Sequence, residues 1–162
     1  MSERLTKELG AMLDAYDVVR RADDARTRRL ETEGLAFLAA FAALRAKLVR
    51  PTFEAAGEML RARGHEYAIR EEEFVFEGGG KTSEASITIA ITPAGLENAA
   101  AADNAKRELS FSTRHYNKTV SVVNGAVPQS GSMAASGYGL AQIDAQLVED
   151  ELLKLVAAIV RP

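Results

Sequence analysis

The sequence predicts an α+β fold, in which an antiparallel meander sheet of about four to five strands has one face covered by N-terminal helices and a C-terminal helix. Large apolar residues recur at helical spacing near both ends of the chain and alternate with polar residues in the middle. Short connections between the alternating segments favour pairing of consecutive strands. The 162 residues fit a single domain, with helices over 1–50, 52–63 and 144–160, a sheet over 65–127 and a loop over 128–142.

The first helical segment, residues 1–50, is predicted to be long or broken. Its first apolar stripe is spaced by four and three residues in turn and consists of Leu5, Leu9, Met12, Tyr16 and Val19. A straight helix of about 47 residues would measure about 70 Å, whereas a compact chain of this size is about 40 Å across. We therefore expect a break, at Gly34 or in the charged stretch 20–29, or else an extended helix that meets a partner.

The second helix has a distinct signal at each end. Pro51 disfavours helical conformation in the residue before it, so we expect the first segment to end there and Thr52 to cap the second helix. Gly64 is expected to close that helix as a left-handed C′ residue. At the far end of the chain, Asp144 is expected to cap the C-terminal helix.

The strands are predicted from alternation with a period of two residues. Two out-of-phase patterns predict a bulge or turn at Glu71–Glu73. The opposite face of the sheet is expected to carry mainly small and polar residues. The side chains expected to face the helices are Tyr67, Ile69, Phe74, Phe76, Ile87, Ile89, Ile91, Leu109, Phe111, Val120 and Val122.

The composition excludes several functional classes. The absence of cysteine excludes disulfides and thiol chemistry and fits a reducing, cytoplasmic location. The start of the chain lacks a signal-peptide core, and no apolar run approaches the roughly 18 residues of a membrane span, so no membrane partner is expected. The net charge is −3 and no segment is strongly basic, which argues against a nucleic-acid partner.

Three motifs that resemble chemical sites are better explained by ordinary structure. Gly78–Lys81 lacks the earlier glycine and the following helix of a phosphate loop, so it predicts a hairpin loop. Glu71–Glu73 predicts a solvated charge run at a strand edge, because neighbouring strand residues point to opposite faces. His65 and His115 have no second ligand at helical or hairpin spacing, so no metal and no cofactor is predicted.

The candidate ligand site is the hairpin tip at residues 114–118. Arg114, His115 and Lys118 place cationic and hydrogen-bonding groups together in an acidic protein, and such a tip can hold a carboxylate or phosphate. Ordinary turn chemistry explains the same residues equally well.

The candidate interface is the stripe from Leu5 to Val19. A four-stranded sheet has room for about two helices, which leaves this part of the chain without a place in the core. The stripe could fold back as an intramolecular helical hairpin, but we favour a homodimer, because closed two-fold pairs are the commonest oligomers.

The leading functional prediction is therefore a non-enzymatic protein-interaction or chaperone-like domain. In size, charge and order of elements the chain resembles small acidic secretion chaperones, which are α+β dimers. The alternatives are a small-molecule or anion-binding domain that uses the sheet or the 114–118 tip, and an enzyme, for which the sequence offers no nucleophile–base set.

Overall fold

The computed structural model describes residues 2–77, 81–96, 107–126 and 136–160. The α+β prediction is confirmed, with a long N-terminal helix, a C-terminal helix and a five-stranded antiparallel sheet. The chain divides into two compact units, residues 1–36 and 37–162. The loop predicted at 78–80, the connection 97–106 and most of the loop predicted at 128–142 lie outside the described residues.

Helix α1 runs without a break from Glu3 to Leu44. Of the two predicted alternatives, a long or a broken helix, the structure has the long one, and both Gly34 and the stretch 20–29 lie within it. A mid-helix glycine costs only about 1 kcal/mol relative to alanine, and the charged stretch consists mostly of residues that tolerate a helix. At the start of α1, the Leu5 backbone N–H donates to Ser2 Oγ at 3.2 Å, as expected of an N-cap.

The helical path continues through Pro51 rather than ending before it. A π-helical turn, Arg45–Val49, follows α1 and leads into α2, Arg50–Ala62, where the backbone N–H of Arg50 donates to the carbonyl of Arg45. This wider turn places Pro51 in the first turn of α2, a position that tolerates proline because its missing N–H needs no partner there. Thr52 is not a cap, since its hydroxyl donates to the Leu48 carbonyl at 2.7 Å.

The predicted role of Gly64 at the end of α2 is confirmed. Its φ is +90°, its N–H donates to the Arg61 carbonyl at 3.0 Å, and the N–H of His65 donates to the Leu60 carbonyl at 3.1 Å. These two bonds form a Schellman motif, which satisfies carbonyls that the end of the helix leaves without partners.

The main sheet has the order β1-β4-β5-β6-β7, and every neighbouring pair is antiparallel. The row Ile69, Ile89 and Leu109 crosses its first three strands in register. A short edge strand, β7, lies within the stretch 128–142 that was predicted to be a loop. The strand bounds are β1 Glu66–Glu72, β2 Val75–Glu77, β3 Lys81–Ser83, β4 Ser86–Thr92, β5 Glu108–Arg114, β6 Thr119–Asn124 and β7 Ser136–Tyr138.

The prediction that Phe76 faces the helices from the main sheet is wrong, whereas Phe74 packs against the core although it lies between β1 and β2 and outside the main sheet. Strand β2 pairs only with β3, in a separate two-stranded ladder, so the change of phase after Glu71 marks the end of a strand and not a bulge. Phe76 is 72% exposed, whereas Phe74 is half-buried against the His115 ring at a centroid distance of 5.0 Å.

The core lies between the sheet and the helical segments α1 (from Phe37), α2 and α3, Ala145–Val160. Phe41, Phe53 and Leu155 from the helices are fully buried with sheet residues such as Ile89 and Phe111. Helix α3 is capped as predicted, because the Leu147 N–H donates to Asp144 Oδ1 at 2.9 Å.

The opposite face of the sheet is polar, as predicted, but its centre is buried. Thr88 and Ser121 are only 4% and 7% exposed. The hydroxyls of Thr88 and Ser110 hydrogen-bond to each other at 2.9 Å across β4 and β5. A charge placed at Thr88 would therefore be more costly than the polar character of this face alone indicates.

Gly57 marks the closest approach of α2 to β1, and it supplies a testable prediction. A Cβ at this position would overlap the Tyr67 ring, which is held by a hydrogen bond from Tyr67 Oη to Glu58 Oε1 (2.6 Å) and by the Arg61 guanidinium, 4.5 Å from the ring centroid. Overpacking costs about 1–3 kcal/mol, against about 1 kcal/mol gained from alanine in a helix. We expect Gly57→Ala to destabilise the protein by about 1 kcal/mol in urea unfolding.

The sign of that effect should reverse when the ring is removed. In a Tyr67→Ala background the overlap is gone, so Gly57→Ala should stabilise by about 1 kcal/mol through helix propensity alone. An equal destabilisation in both backgrounds would show that another contact holds the glycine.

Candidate functional site

The first part of α1 presents a row of large apolar side chains that is open to solvent. We call this row the N-terminal stripe. At 100° per residue its members fall within about 80° of the helix circumference, so they form one face. Their exposed fractions range from 42% to 68%. The stripe consists of Leu5, Leu9, Met12, Tyr16 and Val19.

Other exposed apolar residues help to define the stripe. Leu13, which is 54% exposed, lies directly beside it on the helix surface, whereas Val18 (64%) and Leu35 (69%) lie well away from it. Monomeric proteins rarely expose apolar patches of more than a few hundred Å². Five adjacent large side chains, each about half exposed, reach that order of area and mark this face as a candidate interface.

In the predicted ligand site at 114–118, Arg114 is the last residue of β5 and residues 115–118 form the four-residue turn to β6. His115 Nδ1 contacts Glu84 Oε1, and the His115 backbone N–H donates to Glu84 Oε2 at 3.1 Å. Thr113 Oγ1 donates to the same Oε2 atom at 2.9 Å. A carboxylate is thus held at this tip, and it is the protein's own.

Two of the three predicted ligand residues, Arg114 and His115, turn to different partners. Arg114 donates from Nη2 to Ser121 Oγ at 3.3 Å on the sheet face away from the helices, whereas His115 turns to Glu84. Lys118 has left-handed backbone geometry, with φ of +54°, as the turn requires. Binding of an external anion by Arg114, His115 and Lys118 stays a prediction. The Glu84 carboxylate, which already contacts His115, would compete with such an anion.

Sequence reasoning missed Glu84 and Thr113 as parts of this cluster. Ser86 pairs with Ser112, and continuing this antiparallel register places residue 84 beside 114 and 115. The only available signal was therefore the pairing of β4 with β5, which alternation of side chains alone does not fix.

A second cluster joins the π-helical turn to the end of β1. Arg45 is 7% exposed, and its Nη1 donates to the carbonyls of Glu72 and Ser86 at 3.1 and 3.2 Å. Its Nη2 donates to Glu73 Oε1 at 2.5 Å. Glu71–Glu73 is an exposed run at the end of the edge strand β1, as predicted, and two of its carboxylates also have specific arginine partners.

The second of those partners is Arg50. Its Nη1 lies 3.1 Å from Glu71 Oε1 and its Nε lies 2.8 Å from Glu54 Oε1. The side-chain hydrogen bond to Glu71 is the main cause that raises the pKa of Arg50, and the bond to Glu54 adds to it. These contacts tie α2 to β1 and offer no free group for chemistry.

Hydrogen bonds to carboxylates also raise the pKa of two other donor side chains, Tyr67 and Arg70. The bond to Glu58 raises the pKa of the Tyr67 hydroxyl, because it stabilises the protonated donor. Glu108 binds Arg70 through both carboxylate oxygens, at 3.0 and 3.1 Å, and this raises the pKa of Arg70. The contact of Tyr67 joins β1 to α2, and the contact of Arg70 joins β1 to β5 across the intervening strand β4.

The ring of His65 has a structural role. His65 accepts a hydrogen bond from the Ala94 N–H at its Nδ1, at 3.0 Å, so its ring fastens the chain after β4. Within the described ranges, no group of three or more metal-ligating side chains lies together. Every helix there is too short or too polar to span a bilayer.

The second unit also has an apolar groove, of about 450 Å³, between α2 and α3. Met59 and Leu153 in its lining are 71% and 67% exposed, and Glu149 is its one charged residue. The groove is formed entirely by residues of the second unit.

Comparison with protein-family models, with curated proteins and with solved structures found no match.

Proposed function

We propose that this protein is a non-enzymatic interaction protein that associates with a second copy of itself through the N-terminal stripe. The observation that carries the proposal is the exposure of 42% to 68% of each stripe residue on one face of a continuous helix. Such a face gains free energy when it is covered, at roughly 25 cal/mol for each Å² of apolar surface removed from water.

The helix itself supports association. The 34 residues from Glu3 to Ala36 span about 51 Å, and their side chains are exposed with few exceptions. Isolated helices are only marginally stable in water, and most helical stability in proteins comes from packing of an apolar face. Pairing of two stripes would supply that packing and bury on the order of 1,000 Å², close to the lower bound of a specific interface.

The His115–Glu84 pair gives no comparable support for an enzyme. A histidine held by a carboxylate can act as the general base that activates a nucleophilic side chain within its reach. The nearby Thr113 hydroxyl donates to Glu84 Oε2 instead of to the imidazole. Interaction through α1 is the function that the geometry favours.

Replacement of Leu9, Met12 and Tyr16 together by Ser tests the proposal. We expect the wild-type protein to have the mass of a dimer in light scattering at high micromolar concentration, and the variant to have the mass of a monomer. The strand signal in circular dichroism should be retained, because the strands lie in the second unit.

The matched control replaces apolar residues that are equally exposed but lie off the stripe. Val18→Ser combined with Leu35→Ser removes two side chains that are 64% and 69% exposed, and it should leave the dimer intact. A wild-type monomer at high micromolar concentration would overturn the proposal, and so would equal loss of the dimer in the control.

A further inference from the structure

The stripe also determines how two copies can be oriented. We infer that the two N-terminal helices pair antiparallel, crossing near Asp14, so that residues 2–26 of one copy lie along residues 26–2 of the other. This inference rests on the proposed function, because it assumes that the stripe is a self-association surface. Two independent features of the first unit favour this orientation.

The first feature is the charge pattern that follows the stripe. Asp23 and Arg26 continue the four-three spacing after Val19 and therefore occupy the next two positions of the same face; both are exposed. In a parallel pair each such residue faces its own equivalent, so Asp23 would meet Asp23 of the second copy and Arg26 would meet Arg26. Like charges placed opposite each other disfavour that orientation.

An antiparallel pair centred on residue 14 avoids both repulsions. Residues that face each other across the pair then have numbers that add up to 28. Leu9 therefore meets Val19 of the second copy, and Met12 meets Tyr16. Asp23 falls opposite Leu5, near the end of the overlap, where its carboxylate can remain in water. The four central contacts of the interface, which are the Leu9–Val19 and Met12–Tyr16 pairs and their symmetry equivalents, are then all apolar.

The second feature is Leu13, which is 54% exposed and flanks the stripe. In an antiparallel pair, a residue that flanks the stripe on one side lies next to the equivalent residue of the second helix. A crossing at residue 14 therefore places Leu13 against Leu13 of the second copy. In a parallel pair the residue beside Leu13 would be Glu8. Only the antiparallel arrangement gives this exposed leucine an apolar partner.

Distance measurements between spin labels test the orientation. The chain contains no cysteine, so one introduced cysteine is a unique attachment point. Asp14→Cys and Arg28→Cys are suitable because both positions are exposed and lie opposite the stripe. An antiparallel pair predicts roughly 20–25 Å between labels at position 14. At position 28 the labels are offset along the axis by about 42 Å, giving a distance of roughly 45–50 Å.

The outcomes separate this inference from the proposed function. Equal, short distances at both positions would show a parallel pair, which overturns the antiparallel inference and leaves self-association intact. A longer distance at position 14 than at position 28 would overturn the crossing point. No intermolecular distance at either position, with a monomer mass, would overturn the proposed function itself.

Discussion

Ile89→Asp is expected to unfold the second unit. Ile89 is fully buried at the centre of the sheet, between Ile69 on β1 and Leu109 on β5. The change removes a buried aliphatic side chain, worth about 2–5 kcal/mol, and places an unpaired carboxylate in the core at a further cost of several kcal/mol. The sum is comparable to the roughly 5–15 kcal/mol by which a domain is stable. Thermal unfolding followed by far-UV circular dichroism should show no cooperative transition of the sheet.

The matched control is Ala68→Asp, on the edge strand β1. Ala68 is exposed and points to the face of the sheet away from the helices. The same charge there remains hydrated, so the melting temperature should change by only a few degrees. Thr88 is unsuitable as a control because it is 4% exposed. Equal damage by Ile89→Asp and Ala68→Asp would mean that the face carrying Ala68 is also covered.

The elements that could be predicted from sequence are those set by local periodicity and end signals. The Ile87–Ile89–Ile91 alternation identified β4, and Gly64 and Asp144 marked helix ends that the structure confirms. These predictions are confirmed because each of the predicted features depends on a few neighbouring residues. The α+β class followed from the same local patterns, helical at the ends and alternating between them.

The errors lie where nonlocal geometry outweighs a local rule. Pro51 was expected to end a helix, but a π-helical turn makes room for it within the helical path. Phe76 has the alternation of a sheet residue, yet its strand pairs only with β3. Whether a short apolar strand joins the main sheet depends on which edge is available, and alternation carries no information about that.

The candidate sites show the same division. The N-terminal stripe could be identified from spacing alone because a helix face is a periodic property. The partners of His115 and Arg45 could not, because Glu84 is 31 residues from His115 and Glu73 is 28 residues from Arg45 along the chain. An arginine in a helix is usually exposed, so no local pattern indicated that Arg45 would be buried.

Arg45→Met is expected to destabilise the second unit by about 2–3 kcal/mol. The contributions to that cost are the ion pairs with Glu73 and with Glu71, whose Oε1 lies 3.8 Å from Arg45 Nε, and the hydrogen bonds to two carbonyls. The ion pair with Glu73 is worth at most about 1 kcal/mol, because the Glu73 side chain is 69% exposed and solvent screens it. The larger contribution comes from the carbonyls of Glu72 and Ser86, which lose a charged donor, at about 1–3 kcal/mol for each polar group left without a partner.

Two companion variants separate these contributions in urea unfolding. Glu73→Gln removes only the charge of the exposed carboxylate and should cost less than about 1 kcal/mol. Arg45→Lys keeps the charge but has a single ammonium in place of the planar fork that reaches both carbonyls, so an intermediate cost is expected. If Arg45→Met cost no more than Glu73→Gln, the carbonyl bonds would contribute nothing and the π-helical turn would not be held to β1 and β4 by this arginine. A full loss in Arg45→Lys would instead assign the whole effect to the shape of the guanidinium, since the positive charge is the same in both side chains.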